Sequence, residues 1–187
     1  MAGHKILALV IQVRILTFQQ FYMFKNMNNF PVIVDGREYW ISRSIATVGF
    51  VFSVNEKQEP IVLITKRGKG TPNYQGYWCC PCGYLDYNET VKECCIREIK
   101  EETGVDVSYT LIEDNLGYND DPDETRQDVT FRFIFYSSTY FTQRFDTSNS
   151  EPDEVEEVKW IKLDEINNYQ FAFNHENLIK EAASKIF

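Results

Sequence analysis

The sequence predicts an α+β fold, a mixed β-sheet sandwiched between helices with a β-hairpin on its N-terminal side. Residues 32–41, VIVDGREYWI, read as two short strands around Asp35-Gly36, a dipeptide that accepts the positive φ angles of a tight hairpin turn. Residues 44–54 and 61–66 are β-rich runs, the second almost wholly apolar, as suits buried strands. Strands flanked by a few helices, without strict βαβ alternation, point to a mixed sheet packed between helices.

The 187 residues suit a single domain with a substantial core, and 43% hydrophobic content excludes a disordered chain. A net charge of −9 argues against a broad basic surface for DNA, RNA or anionic lipid. Cys79, Cys80, Cys82, Cys94 and Cys95 are odd in number and crowd into a 17-residue window, unlike a secreted disulfide framework. A reducing, cytoplasmic compartment is expected. Residues 6–24 are apolar, but Gln12, Arg14, Gln19 and Gln20 interrupt the run, and no small-residue cleavage site follows. Neither a membrane span nor a signal peptide is expected; residues 1–26 read as an extension outside the catalytic unit, and 27–187 as one domain.

After the second apolar strand comes a Gly/Pro/Asn-rich loop, RGKGTPNYQGYW, with neither GxGxxG nor GxxxxGK. It is expected to be a surface connection, with Lys66 and Arg67 as candidate phosphate contacts. A helix follows: Asp86 or Asn88 is placed to cap its start, Asp86 and Glu89 have capping-box spacing, and Gly104 suits the residue just past its end. Residues 105–112 look strand-like, 120–124 form an acidic loop, and 129–136 a long strand. The polar stretch TSNSEPDE precedes a strand at 155–162, and short helical segments at 163–167 and 174–186 close the chain.

The helix gathers Glu98, Glu101 and Glu102 on neighbouring positions near its C-terminal end. Like charges at such spacing cost about 0.2–0.5 kcal/mol per pair, and the helix dipole disfavours each by about 0.3–1 kcal/mol. A solvated acidic face is one reading; a hard cation such as Mg²⁺ or Mn²⁺, which prefers carboxylate oxygen, is the other. On a helical wheel Val91, Cys95 and Ile99 form the apolar stripe, with Cys94 at its edge, and Glu98 and Glu102 continue it. Carboxylates at a core margin need cations or donors. Arg97, four residues from Glu101 and eight from Glu89, can hold a carboxylate through its planar fork.

Gly83, Glu89 and Arg97-Glu98-Ile99-Lys100-Glu101-Glu102-Thr103-Gly104-Val105 resemble the Nudix box, GX5EX7REUXEEXGU with U a bulky aliphatic residue, at every specified position. The flanks, with Lys66-Arg67 and Gly76-Tyr77-Trp78, are similar too, and the resemblance covers about residues 30–187. It implies hydrolysis of a nucleoside diphosphate linked to another moiety, such as ADP-ribose or a nucleotide sugar, with Mg²⁺ or Mn²⁺. It also implies that Glu98, Glu101, Glu102 and the main-chain carbonyl of Cys82 bind metal and that Glu98 is a candidate base. Arg97 would orient Glu98 and pair with Glu89, and Gly83 would permit a tight loop. Many members have Gly-Gly where this chain has Cys82-Gly83.

Other readings remain open at this stage. Cys79-Cys80-Pro81-Cys82 holds a CxxC pair, so a structural zinc site competes, although a ribbon would show a second CxxC. Cys94 and Cys95 are expected as buried thiols and His175 as a cap or packing residue. A Nudix-fold isopentenyl-diphosphate isomerase or a non-catalytic nucleotide-binding protein is the alternative function. Tyr39, Trp40, Tyr74, Tyr77 and Phe131 are candidates to stack on a base, and Glu151, Glu154 and Glu156 to supply a further acid. The expected partner is a small nucleotide diphosphate, not DNA or a membrane, and the N-terminal hairpin offers a homodimer contact.

Overall fold

The computed structural model describes residues 30–108, 110–122, 127–139, 141 and 144–187; the expected extension at 1–26 lies outside them, as do the side chains of Tyr39 and Trp40. Strands β1 (Phe30–Val34) and β2 (Arg37–Ile41) pair antiparallel as the predicted hairpin. Asp35 and Gly36 take φ angles of 50° and 77°, the left-handed pair a two-residue turn requires. The hairpin belongs to one compact unit; Ser44–Asp120 with Asp128–Phe187 makes the other.

Among the described residues of that second unit, seven strands form one mixed sheet. They are β3 (Ser44–Val54), β4 (Pro60–Arg67), β5 (Trp78–Cys79), β6 (Cys82–Tyr84), β7 (Leu111–Asn119), β8 (Asp128–Tyr136) and β9 (Val155–Lys162). β3 runs parallel to β8, and the other pairs are antiparallel. Alternation along the strands sorts the core onto two faces. Val48, Phe50, Phe52, Val62, Ile64 and Ile134 meet Ile179 and Ala182 of helix α2 (His175–Ala183). Val51, Leu63, Phe133 and Phe135 meet Cys95 and Ile99 of helix α1 (Val91–Thr103) on the opposite face. Gly49 lets α1 rest directly on β3: a Cβ there would stand 3.0 Å from Ile99 Cγ1 and 3.1 Å from Cys95 Sγ.

One feature of the sheet creates the site. β3 and β4 pair only from Phe52↔Val62 to Val54↔Pro60 and then part. The segment that follows the Gly/Pro loop fills the opening, with β5 on β4 at Thr65↔Cys79 and β6 on β3 at Val48↔Cys82. These two strands are too short to carry a periodic signal, and the sequence did not reveal them.

Two expectations are corrected. The helix cap is Thr90, not Asp86 or Asn88: Thr90 Oγ1 accepts the Glu93 amide at 3.3 Å, and Glu93 Oε2 accepts the Thr90 amide at 2.8 Å. Glu89 does accept the Asp86 amide, at 2.8 Å, but that bond closes a loop, because the remainder of Glu89 is committed to Arg97. The strand expected over 105–112 begins only at Leu111, since Val105 and Val107 are buried beneath α1 in irregular backbone. Gly104 ends the helix as expected, with φ 77° and its amide on the Lys100 carbonyl at 2.8 Å. The closing segments are a 3₁₀ turn, Leu163–Asn168, and α2.

Candidate active site

α1 points its last two turns at the opening between β3 and β4. Arg97 organises the outer side. Its Nε and Nη2 grip both oxygens of Glu89 at 3.0 and 2.7 Å, Nη1 is shared between Glu98 at 2.8 Å and Glu101 at 3.0 Å, and Nη2 also reaches the Tyr84 carbonyl at 3.1 Å. A planar guanidinium suits this work, because its donors leave in fixed directions. The hydrogen bonds from Arg97 hold the Glu89 carboxyl down at about 2.

Glu98 lies deeper. Burial pushes its carboxyl up to about 7, against the pull of Arg97. Its carboxylate occupies the space where a Gly83 side chain would begin, so a Cβ on Gly83 would collide with Glu98 Cδ, Oε1 and Oε2. Gly83 is therefore required by close approach; it sits in extended β6 rather than in the tight loop expected from the sequence.

Glu102 is 4% exposed, and burial raises its carboxyl well above the ordinary range, with Cys79, Glu154 and Glu98 adding to the effect. Two long contacts serve it: Thr65 Oγ1 donates to Oε2 at 3.3 Å and the Cys82 amide to Oε1 at 3.4 Å. A fully buried carboxylate with only these donors is under-compensated as an anion. The donor set thus fits a hard cation chemically: anionic oxygens on one helix face, mutually repelling, beside the strand that carries the Cys82 carbonyl. Among the described residues no three His, Cys, Asp or Glu side chains converge closely enough to hold a metal ion as they stand. Arg97 holds Glu98 and Glu101 by an oxygen each.

Of the acids outside the helix, Glu154 faces this cluster. Burial raises its carboxyl, and its charge is felt at both Glu98 and Glu102. Gly68 and Gly70 bring it there, donating to the Glu154 and Asp153 carbonyls at 2.6 and 2.8 Å. Glu156 instead pairs with Lys66 at 2.7 Å on exposed surface. Arg67 bonds the loop at Asn73 O and Oδ1, both at 3.1 Å, and stacks over Phe173 at 4.8 Å. Thr65 carried no signal in the sequence, because its partner Glu102 lies 37 residues away.

The cysteines and His175 take structural positions. Cys94 and Cys95 are buried as expected, and all five cysteines are free thiols. His175 is buried, its Nδ1 accepting the Cys80 amide at 3.0 Å, and burial lowers it to about 3. The Cys79 thiol is lowered to about 7, first by its hydrogen bond with Cys82 and then by Thr65 and Arg67, against burial.

Comparison with known proteins agrees with this geometry. A family model described as the NUDIX domain matches residues 44–182, and the chain belongs to this family. An ADP-ribose pyrophosphatase of Methanocaldococcus jannaschii is 30% identical over 132 residues, covering 70% of each chain. Nudix hydrolase 2 of Arabidopsis thaliana is 28% identical over 153 residues, 75% of this chain but only 50% of that one, so this chain spans half its length. The Nudix domain of Shewanella oneidensis NrtR, solved with ADP ribose, superposes with a TM-score of 0.64 at 24% identity, over 79% of this chain and 90% of that one. No helix among the described residues is long and apolar enough to cross a membrane.

Proposed function

We propose that this Nudix-type pyrophosphohydrolase cleaves the diphosphate linkage of a nucleoside diphosphate joined to another moiety, with ADP-ribose first among the candidates, in the presence of Mg²⁺ or Mn²⁺. The observation that carries this reading is the pairing of a half-buried Glu98 with a buried Glu102 near the end of α1, with Arg97 fixing the first of them. The names of two relatives, an ADP-ribose pyrophosphatase and an ADP-ribose complex, support the substrate class.

Glu98, Glu101, Glu102 and the Cys82 carbonyl are the groups that would hold the cation. Bound there, it would neutralise diphosphate oxygens and acidify water. Glu98, kept oriented by Arg97, is the candidate group to accept a proton from water. Glu154 is the outside acid positioned to assist. Arg67, at the end of β4, is the candidate phosphate contact; Lys66 would have to leave Glu156 to join it. The chain's negative charge supports a small-molecule partner rather than DNA, and its five clustered cysteines, odd in number, support a reducing, cytoplasmic setting. Residues 1–26 are proposed to be dispensable, 27–187 to act as one domain, and the exposed Ile33 and Val34 of the hairpin to offer a dimer contact.

Product analysis on a panel of ADP-ribose, nucleotide sugars, dinucleoside polyphosphates and isopentenyl diphosphate, with and without metal, tests this. Metal-dependent release of AMP and ribose 5-phosphate, lost in Glu102→Gln, is the expected result. Isomerisation of isopentenyl diphosphate with no nucleotide turned over would overturn it.

A further inference from the structure

We propose that Arg132 is a substrate-binding residue that holds the diphosphate from the side of the opening opposite Arg67; this rests on the function proposed above. The chain carries a net charge of −9, and the site itself gathers Glu98, Glu101, Glu102 and Glu154. An incoming diphosphate is therefore repelled unless local cations meet it. The other half-buried cations among the described residues are bonded. Lys66, Lys159 and Lys162 pair with Glu156, Glu157 and Glu59 at 2.7, 2.9 and 3.1 Å. Arg97 holds three glutamates, and Arg67 is set on Asn73 and the Phe173 ring. Arg132 differs: half-buried in β8, it makes no hydrogen bond or ion pair among the described residues. A guanidinium withdrawn from water without a partner is costly, and a local rule broken in this way points to function.

Strand register fixes where Arg132 stands. On β3, Val48 pairs with Cys82 of β6 on one side and with Arg132 of β8 on the other, so the three share a row and a face. Ile134 and Tyr136, next on the same face of β8, pack in the core on the α2 side. Two strand spacings put the Arg132 backbone about 10 Å from that of Cys82. Thr130 and Ile134 flank it along β8, Ala46 and Phe50 flank Val48 on β3, and Gly117 lies directly across on β7. None of these carries a carboxylate, and a Cβ on Gly117 would meet nothing within 4 Å, so the surface there is open.

Arg67 ends β4, beyond β5 and β6, so the two arginines bracket the segment that fills the opening. The Arg67 guanidinium stands over Phe173, whose ring lies 5.5 Å from that of His175. His175 is lowered first by burial and then by the charges of Arg67 and Arg132, so it feels both. A diphosphate bears anionic oxygens on each phosphorus, and two planar forks set apart in this way hold one phosphate each.

Steady-state kinetics of the full chain with Mg²⁺ and the nucleotide it turns over, ADP-ribose first, test this beside melting curves. Arg132→Gln is expected to raise KM about 10- to 100-fold, as for a lost hydrogen bond to a charged group, with kcat within about threefold. Arg132→Lys keeps the charge without the fork and should fall between the two. The melting temperature of Arg132→Gln should equal or exceed that of wild type, because an unpaired half-buried cation is gone; a residue that only supported the fold would lower it. Unchanged KM in Arg132→Gln, or kcat lost without KM, overturns the proposal. Should Arg132→Gln fail to fold, Arg132→Lys decides, and a wild-type KM there overturns it. If no nucleotide is hydrolysed, inorganic pyrophosphate with Mg²⁺ is the probe. A rise in melting temperature beyond that from Mg²⁺ alone, lost in Arg132→Gln, keeps Arg132 as an anion site while the proposed function falls. No such rise in wild type, or an equal rise in both proteins, overturns it.

Discussion

The Glu98 carboxylate lies in the space a Gly83 Cβ would need, so a helix residue and a strand residue fifteen positions apart fit only while one of them has no side chain. Gly83→Ala must displace Glu98 from the grip of Arg97 Nη1. The expected result is a folded protein whose kcat falls about 100-fold, the usual order for a misplaced catalytic group, with KM changed less. Steady-state kinetics beside circular dichroism would check it.

Glu102 gives a stability prediction with a definite sign. Its folded pKa is raised, so the ionised carboxylate destabilises the metal-free fold; the penalty is absent below about 4.5 and grows as pH rises toward the folded value. Glu102→Gln should remove it, on the order of 1–3 kcal/mol at high pH, or about 2–4 °C in melting temperature per kcal/mol. Melting in EDTA from pH 4 to 9 measures this. Equal pH slopes in the two proteins would count against the raised carboxyl.

For Arg97 and Glu89 the sign is opposite. Glu89 is held at about 2, so its pairing contributes stability above an unfolded value near 4.5 and loses it as pH falls toward 2. Arg97→Lys keeps the charge and loses the fork. Activity is expected to fall by about 10- to 100-fold, and the acid limb of the stability profile to flatten. Chemical denaturation at pH 3 and pH 6 distinguishes the two proteins.

His175 supplies a third titration. Held neutral with a value of about 3, it stabilises the fold above about 6.5, and this contribution is lost as pH falls from there toward 3. His175→Leu strands the Cys80 amide and should cost about 1–3 kcal/mol at pH 7 while removing that slope. Urea unfolding at several pH values reads both effects.

Among the three outside acids, Glu154→Gln should reduce kcat, whereas Glu156→Gln, which breaks only an exposed pair with Lys66, should leave it within about twofold. Parallel kinetics of Glu151→Gln, Glu154→Gln and Glu156→Gln would rank them.

Much of this protein was legible along the chain because its determinants are local. Asp35-Gly36 declares a hairpin, Gly104 ends a helix, and Glu98, Glu101, Glu102 and Arg97 share a helical surface through spacing alone. The family match, too, depends on residues at fixed intervals. What remained hidden depends on contacts between segments far apart in the chain. The parting of β3 from β4 after Phe52↔Val62, and the two short strands that fill the gap, follow from how the whole sheet closes. Only that closure sets Thr65 and the Cys82 amide on Glu102 and brings the Glu154 charge to bear on Glu98 and Glu102. Spacing along one helix is dictated by its pitch; distances between segments are decided by packing, which no local pattern encodes.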